Sequence, residues 1–292
     1  MKLATFIYND SEQPGVYIEN KGYYPLSSIL GNQAPKTLLE YIQNPVSDLE
    51  SIIASKNLSP LSRDQVVLKA PIPRPFRDVI CLGKNYADHA KEIEETRLMT
   101  QGADSIPLDP VYFTKSACPA TGDGDVIPLH EHLTSKVDYE VELAVIIGKT
   151  AYNISEENVE DFIFGYTILN DISARDVQVK YGQWFFGKSL DGFCSMGPHI
   201  ITKDEIPFPI ELEVSCRVNG ETRQTSNTSK LIFGISRIIA EISKGITLFP
   251  GDIIATGTPA GVGHALKPPT YLKKGDKVEC EIEKLGVLTN YF

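Results

Sequence analysis

The sequence Val-Asp-Tyr-Glu-Val-Glu-Leu-Ala-Val-Ile-Ile at residues 137–147 has the two-residue alternation of a β-strand. One face would be largely apolar along its whole length. The other face begins with Asp138, Glu140 and Glu142 and becomes apolar from Ala144, which indicates a strand that enters the protein interior. On a regular strand the Cα atoms of Glu140 and Glu142 would lie ~6.6 Å apart. The stretch therefore predicts a strand that carries two neighbouring carboxylates inward.

A third carboxylate extends this pair to a candidate set of metal ligands. Two buried carboxylates repel each other and persist only if one is protonated or a cation lies between them, whereas a solvated acidic face would need neither. Asp171 ends another β-rich, mostly apolar run. Three acidic ligands without cysteine or imidazole suit Mg²⁺, Mn²⁺ or Ca²⁺ rather than zinc or copper. Such a site keeps open positions and can polarise a carbonyl as a Lewis acid.

Composition limits the classes of partner. The chain has 292 residues and a formal net charge of −10, which disfavours nucleic acid and anionic membranes as partners. No apolar run approaches the ~20 residues that a membrane-spanning helix needs. The N-terminal sequence turns polar too early for a signal peptide, so we expect a cytoplasmic location.

His89 and Glu92 are three residues apart in a predicted helix at residues 86–95, so their side chains should be neighbours. A carboxylate beside an imidazole can orient it and raise its basicity, which suits a general base. A solvated His–Glu pair on a charged helix would have the same spacing.

The order of elements predicts an α+β, β-rich chain with two parts. Residues 1–70 read as a small N-terminal unit of short strands and two short helices. The proline-rich stretch at residues 70–76 marks the boundary, and residues 76–292 form the catalytic domain. The polar segment 96–110 is predicted to be a lid or loop that reads the distal part of a substrate.

Five motifs carry a family resemblance, and they occur in this order: Gly83–Glu92, Asp138–Leu143, Gly165–Asp176, Gly187–Ser189 and Gly251–Gly263. Together they resemble the fumarylacetoacetate hydrolase family, over about residue 76 to the C-terminus. The small N-terminal unit and the run at residues 267–272 look most like members related to oxaloacetate decarboxylases and acylpyruvate hydrolases. The resemblance implies a mixed β-roll or barrel packed with a few helices, and a homodimer.

The resemblance also implies roles for single residues. Glu140, Glu142 and Asp171 match the ligands of Mg²⁺ or Mn²⁺, with Ca²⁺ as a substitute. His89 and Glu92 match the pair that activates a water in the hydrolases, on a segment that orders over bound substrate.

Four further positions match residues that handle the substrate. Arg175, Gln178 and Lys188 match positions that contact substrate or steady developing negative charge, and Lys188 is also a predicted catalytic residue. Taken alone, the spacing of Arg175 and Gln178 favours a solvated helix face. Thr258 matches a position that holds the substrate carboxylate.

The predicted function is divalent-metal-dependent cleavage of a C–C bond in a small anionic 2-oxo or 1,3-dioxo acid through a metal-stabilised enolate. That description covers an oxaloacetate decarboxylase and an acylpyruvate or fumarylacetoacetate-type hydrolase. Two alternatives stay open. One is an isomerase or tautomerase of an unsaturated oxo-dicarboxylate of the 2-hydroxyhepta-2,4-diene-1,7-dioate type, and the other is a non-catalytic metal-binding module.

Overall fold

A computed structural model describes residues 1–96, 106–117 and 119–292 of the chain. The strands are Lys2–Tyr8 (β1), Ser11–Ile18 (β2), Gly22–Pro25 (β3), Val67–Lys69 (β4), Val79–Gly83 (β5), Val111–Lys115 (β6), Val137–Asp138 (β7), Val141–Ile147 (β8), Ile163–Asp171 (β9), Ser173–Ala174 (β10), Cys194–Thr202 (β11), Glu213–Val218 (β12), Glu221–Asn227 (β13), Ile253–Ala255 (β14), Lys277–Ile282 (β15) and Gly286–Tyr291 (β16). Most of the predicted loop at 96–110 lies outside the described residues.

The helices are short and frame the strands. The α-helices are Leu26–Leu30 (α1), Leu38–Gln43 (α2), Leu49–Ser55 (α3), Ala87–Glu95 (α4), Arg175–Lys180 (α5), Phe185–Lys188 (α6) and Ile235–Ser243 (α7). Single 3₁₀ turns or short 3₁₀ helices occupy Gly31–Gln33, Arg63–Gln65, Glu156–Phe162, Lys203–Glu205, Thr228–Lys230 and Gly263–Ala265. The chain is thus mixed α/β and strand-rich, as the sequence predicts. No helix among the described residues is long and apolar enough to cross a membrane.

A mixed sheet runs through the molecule in the order β3-β2-β1-β11-β9-β8-β14-β5-β6, and β4 pairs with β1 off this path. Strands β14 and β5 pair in parallel, whereas the other described pairs of this sheet are antiparallel. The N-terminal strand β1 pairs with β11, with Lys2 opposite Ile201. Residues 1–70 therefore contribute strands to the same sheet as the motif-bearing part, and the predicted division at residues 70–76 stays a prediction.

Strand β8 lies between β9 and β14 in this sheet and is buried on both faces. Its odd-numbered side chains from Val141 to Ile147 join a core with α7 and the four-stranded sheet β13-β12-β15-β16. Ala144 and Ile146 join a second core on the other face, together with residues from α1, α2 and α3. The predicted alternation is confirmed here. Burial of both faces explains why the residues after Glu142 are apolar on both sides of the strand.

The stretch 137–147 is not one continuous strand, as the alternation predicts, but breaks at Tyr139 and Glu140. Side-chain oxygens capture the two N–H groups that a regular ladder would use. Tyr139 N donates to Asp138 Oδ1 at 3.0 Å, and Glu140 N donates to Asn170 Oδ1 at 3.0 Å. Strand β7 consequently leaves the large sheet and pairs with β10.

Helix α7 begins later than the predicted residue 231. The N–H groups of Ile232 and Phe233 donate to the backbone and side-chain oxygens of Asn85, both at 2.8 Å. These long-range bonds hold residues 231–233 out of the helix, which starts after Gly234. The same bonds fix the chain immediately before α4, where the predicted His–Glu pair lies.

Candidate active site

Glu140, Glu142 and Asp171 come together where β8 begins and β9 ends. One oxygen of each carboxylate lies within 4.8 Å of an oxygen of each of the others, and all three residues are buried. Glu142 lies opposite Leu169 of β9, and Asp171 N donates to Glu140 O at 2.8 Å. The pairing of two neighbouring strands therefore brings the three predicted ligands into one cluster.

Cations surround two of these carboxylates. Lys188 Nζ donates to Glu140 Oε2 and to Asp171 Oδ2, both at 2.6 Å. Arg175 Nη1 lies 2.6 Å from Glu140 Oε1. Lys115 Nζ lies 2.8 Å from Asp171 Oδ1, as an ion pair whose direction is unfavourable for a hydrogen bond. Glu140 and Asp171 thus have two cationic partners each.

Glu142 differs from the other two because it forms no ion pair with any described residue. Its Oε2 accepts a hydrogen bond of 2.8 Å from Gly257 N. Burial, together with the charges of Asp171 and Glu140, raises the pKa of Glu142 well above its ordinary value. Burial acts in the same direction on Glu140, but there the Lys188 and Arg175 cations outweigh it and hold the pKa well below its usual range.

The buried cluster carries an excess of negative charge that a bound cation would offset. Four carboxylates face three cations, an excess of one negative charge: Asp138, Glu140, Glu142 and Asp171 against Lys115, Arg175 and Lys188. A hard cation on carboxylate oxygens would supply the missing positive charge beside Glu142. The acidic triad is therefore a candidate metal site, of the kind that Mg²⁺, Mn²⁺ or Ca²⁺ occupies.

Asp138 connects the site to the glycine-rich loop that follows β14. Its Oδ2 accepts from Arg175 Nε at 2.8 Å and from His264 N at 3.0 Å, and its Oδ1 accepts from Gly263 N at 2.8 Å. Arg175 is buried, and its Nη2 has no hydrogen-bond partner among the described residues. An unpaired buried donor of this kind is available to a ligand.

His89 and Glu92 form the predicted pair on α4. His89 Nδ1 lies 2.8 Å from Glu92 Oε1, and Glu92 also accepts from Gly261 N at 2.9 and 3.1 Å. When Nδ1 carries the proton, Nε2 is the acceptor of the ring. Gly261 has φ of +104°, and a Cβ there would lie 2.0 Å from Arg223 O, so glycine is required at this contact.

Thr258 is oriented by a residue that the sequence did not single out. Gln224 on β13 is fully buried, and its Nε2 donates to Thr258 Oγ1 at 2.8 Å and to Pro259 O at 2.7 Å. Its Oε1 accepts from Val141 N at 3.1 Å. Because Thr258 Oγ1 already accepts a bond, its hydroxyl hydrogen is free to donate to a ligand.

Replacing Gln224 with methionine is expected to lower the free energy of unfolding by about 1–3 kcal/mol, since the change leaves buried hydrogen-bonding groups unpaired. It should also raise KM, because Thr258 loses its orienting partner. Urea denaturation and steady-state kinetics measure the two effects. The matched control is Gln33→Met at an exposed position, and equal stability of the two variants would contradict the prediction.

A cleft collects most of the predicted side chains. Its lining residues are Leu82, Gly83, Lys84, His89, Ile93, Phe113, Glu140, Glu142, Arg175, Gln178, Trp184, Lys188 and Thr258. Gln178 is held by Arg175 Nη1, which donates to its Oε1 at 3.2 Å. The two predicted residues outside this lining contact it directly, since Glu92 bonds to His89 and Asp171 bonds to Lys188.

The structure adds site residues that sequence reasoning missed. The sequence shows Asp138 only as part of an acidic strand face, and no local pattern singles out Lys115, Gln224 or Lys84. Lys115 is fully buried, which is unusual for a lysine. Its position at the end of a predicted strand does not distinguish it from an exposed lysine. These residues contact the site through pairings with distant parts of the chain, which no local pattern reports.

Comparison with known proteins agrees with this site. Residues 78–292 match the family described as Fumarylacetoacetate (FAA) hydrolase C-terminal. The chain is 48% identical over 255 residues to Oxaloacetate tautomerase YisK of Bacillus subtilis, covering 87% of this chain and 80% of that protein. It is 41% identical over 298 residues to the mitochondrial Oxaloacetate tautomerase Fahd2a of Rattus norvegicus, covering 99% and 91%.

Solved structures show the same fold. The fumarylacetoacetate hydrolase of Exiguobacterium antarcticum superposes with a TM-score of 0.85 at 41% identity, covering 100% of this chain and 98% of that one. The maleylpyruvate hydrolase of Sphingobium sp. SYK-6, solved with manganese (II) ion and pyruvate, gives a TM-score of 0.78 at 31% identity, with the same coverage. With its fold, its acidic triad and its match over residues 78–292, this chain belongs to the fumarylacetoacetate hydrolase family.

Proposed function

We propose that this chain is a divalent-cation-dependent enzyme that interconverts the keto and enol forms of a small 2-oxo acid, with oxaloacetate as the leading substrate. The observation that carries the proposal is a single cleft in which the acidic triad lies beside Lys188 and the His89–Glu92 pair. Enolisation needs a group that moves a proton and charges that stabilise a developing oxyanion. Both are present in this cleft.

The relatives support this reaction ahead of the C–C cleavage predicted first from the sequence. Both curated relatives reported above are named oxaloacetate tautomerases, and their alignments span most or nearly all of the chain. The Sphingobium enzyme holds manganese (II) and pyruvate, which supports Mg²⁺ or Mn²⁺ as the cation and a 2-oxo acid as the ligand.

Each residue of the cleft would have a separate role in the reaction. His89 Nε2 would accept a proton from C3 of the substrate while Glu92 holds the ring, and return of that proton to the C2 oxygen yields the enol. No co-reactant is consumed. Lys188 would stabilise the charge that develops on the C2 oxygen, while Arg175 Nη2 and the Thr258 hydroxyl would donate to the C1 carboxylate. A cation bound to the triad would supply Lewis-acid polarisation of the carbonyl.

C–C cleavage is the second candidate, and one arrangement favours it. The His89–Glu92 pair is equally suited to activating a water, which would attack a distal carbonyl and release an enolate. The Sphingobium neighbour is a maleylpyruvate hydrolase. This reaction differs from tautomerisation in releasing a second product.

A substrate panel with and without metal tests the proposal. Purified protein is treated with EDTA, then assayed with Mg²⁺ or Mn²⁺ on oxaloacetate, an acylpyruvate and fumarylacetoacetate. We expect a metal-restored change in enol absorbance with oxaloacetate, without stoichiometric pyruvate or CO₂. Metal-dependent release of pyruvate would favour cleavage instead. Activity that EDTA leaves unchanged would contradict the metal role in either reaction.

Replacing His89 with asparagine is expected to lower the turnover number roughly a hundredfold, which is the lower range for losing a general base. Stopped-flow absorbance of enol decay measures it. His132→Asn, at an exposed position, is the matched control and should keep full activity. If His89→Asn behaved like this control in every assay, the non-catalytic metal-binding module would be the better interpretation.

We also propose a homodimer, which the family resemblance implied. Light scattering should then give twice the chain mass of 32.3 kDa. A mass that stays at that of one chain over the micromolar range would contradict it.

A further inference from the structure

Lys84 lines the same cleft as the acidic triad but differs from the other lysine and the arginine there. Arg175 and Lys188 are already paired with buried carboxylates. Lys84 is half-buried and forms no hydrogen bond or ion pair with any residue that the structure describes. Lys84 is thus a cation of the cleft that has no direct partner among the described protein groups. A ligand with an additional negative charge would compensate it.

The backbone at Lys84 is held in a conformation that lysine does not favour. Its φ is +55°, in the left-handed region where glycine is the usual residue. The next residue, Asn85, is fixed by side-chain bonds of 2.8–3.1 Å to Thr256 O, Phe233 O and Phe233 N. These bonds fix the backbone from which the Lys84 side chain extends at the cleft.

The residue before Lys84 packs against aromatic rings. Trp184 packs so closely on Gly83 that a Cβ there would lie 2.3 Å from its ring. Phe113 meets Trp184 edge-on, with ring centroids 5.1 Å apart. Lys84 lines the cleft together with these two rings. Apolar rings lower the local polarity, which strengthens the attraction between an ammonium group and an anion.

Sheet geometry gives the separation between the strand that ends before Lys84 and the strand that carries Glu142. Lys84 directly follows β5, and β5 lies two strand positions from β8 in the order β8-β14-β5. Strands are ~4.8 Å apart, so the two strands are separated by roughly 10 Å. The two carboxyl carbons of an extended four-carbon diacid are roughly 4 Å apart, from C–C bonds of about 1.5 Å. A diacid anchored at the triad, together with the lysine side chain, can span this separation.

We infer that Lys84 binds the distal carboxylate of a dicarboxylic 2-oxo acid and selects such acids over monocarboxylic ones. The inference rests on the proposed function, since it assumes that the 2-oxo carboxylate end lies at the triad. It makes Lys84 a specificity-determining residue. Lys84 takes no part in the proton transfer.

The test compares Lys84→Gly with the wild-type protein on two substrates. The glycine variant removes the charge and suits the left-handed backbone, so it should fold. We expect kcat/KM for oxaloacetate to fall about 10- to 100-fold, mainly through KM, as for the loss of a charged hydrogen bond. For the 4-methyl ester of oxaloacetate, which is neutral at the distal end, kcat/KM should be unchanged.

Lys284→Gly is the matched control, because Lys284 is also a lysine with positive φ, at +65°, and is exposed in the β15–β16 turn. It should leave both substrates unaffected. Equal losses on oxaloacetate and its ester would assign Lys84 to the chemistry and overturn the inference. No loss on oxaloacetate would overturn it as well.

A binding measurement separates this inference from the proposed function. Malate and lactate are inert 2-hydroxy acids with and without a distal carboxylate, and calorimetry in the presence of Mg²⁺ gives their dissociation constants. Wild-type protein should bind malate about 10- to 100-fold more tightly than lactate, and Lys84→Gly should abolish the preference. If that pattern appeared without turnover of any 2-oxo acid, only the proposed reaction would fail. A preference that Lys84→Gly retains would overturn the role of Lys84.

Discussion

Replacing Glu142 with glutamine is expected to lower turnover roughly a thousandfold and, in the absence of metal, to make the protein more stable. Loss of a metal ligand removes Lewis-acid stabilisation worth several kcal/mol, and each 1.4 kcal/mol is a factor of ten in rate. The effect on stability has the opposite sign because Glu142 has no cationic partner in the part of the chain that the structure describes. Its neutral isostere removes that buried charge, and the gain should be on the order of 1 kcal/mol.

Adding metal should reverse the order of stability. At a Mg²⁺ or Mn²⁺ concentration of one hundred times Kd, binding stabilises the wild-type protein by about 2.7 kcal/mol. Glu142→Gln should gain much less. Urea denaturation at pH 8 with EDTA, and then with metal, measures both states. The matched control is Glu50→Gln on the exposed side of α3.

Two results would contradict this prediction. One is a Glu142→Gln protein with normal activity and metal-dependent stabilisation, which would place the cation elsewhere. The other is a metal-free variant that is less stable than the wild type, which would mean that Glu142 has a stabilising partner.

Replacing Lys188 with methionine is expected to reduce the turnover number roughly 10²- to 10³-fold, as for the loss of one group that stabilises an oxyanion. It should also lower the free energy of unfolding of the metal-free protein by about 3–5 kcal/mol. Lys188 is buried, and its Nζ lies 2.6 Å from both Glu140 Oε2 and Asp171 Oδ2. Removing the Lys188 ammonium group leaves each of these two buried carboxylates with one cationic partner instead of two.

A divalent cation should restore part of this stability, because it brings positive charge to the same oxygens, but it should not restore activity. Urea denaturation with and without Mg²⁺ and steady-state kinetics separate the two effects. Lys149→Met, at an exposed position, is the matched control. If Lys188→Met unfolded at the same urea concentration as the control, the buried ion pairs would be unimportant for stability. Full activity would remove Lys188 from the proposed mechanism.

The two predictions together separate the effect of the protein's own cations on stability from the effect of a bound metal. Glu142→Gln removes a negative charge from the buried cluster, and Lys188→Met removes a positive one. The metal-free stabilities should therefore move in opposite directions, although both variants lose activity. Opposite signs of this kind are not expected from general damage to the core, since truncating buried side chains usually destabilises a protein.

The sequence by itself determined the elements and the chemical groups of this protein. Alternation from Val141 to Ile147 identified a buried strand, and a spacing of three residues placed His89 beside Glu92, which the structure confirms. Glu140, Glu142 and Asp171 were recognisable because carboxylates on apolar strands are unusual. Local periodicity and residue type carry this information, since both depend on residues that are near in the chain.

Tertiary structure alone decided how these groups are paired. Asp138 is bonded to Gly263, 125 residues away, and Glu92 to Gly261, 169 residues away. Lys84 lines the same cleft as Glu140 and Glu142 because the strand order β8-β14-β5 brings the end of β5 to that cleft. Contacts across such separations depend on strand order and register, to which a local pattern is insensitive. The stretch 137–147 contains both kinds of information: its alternation predicted the strand, but the side chains of Asp138 and Asn170 decided where that strand breaks.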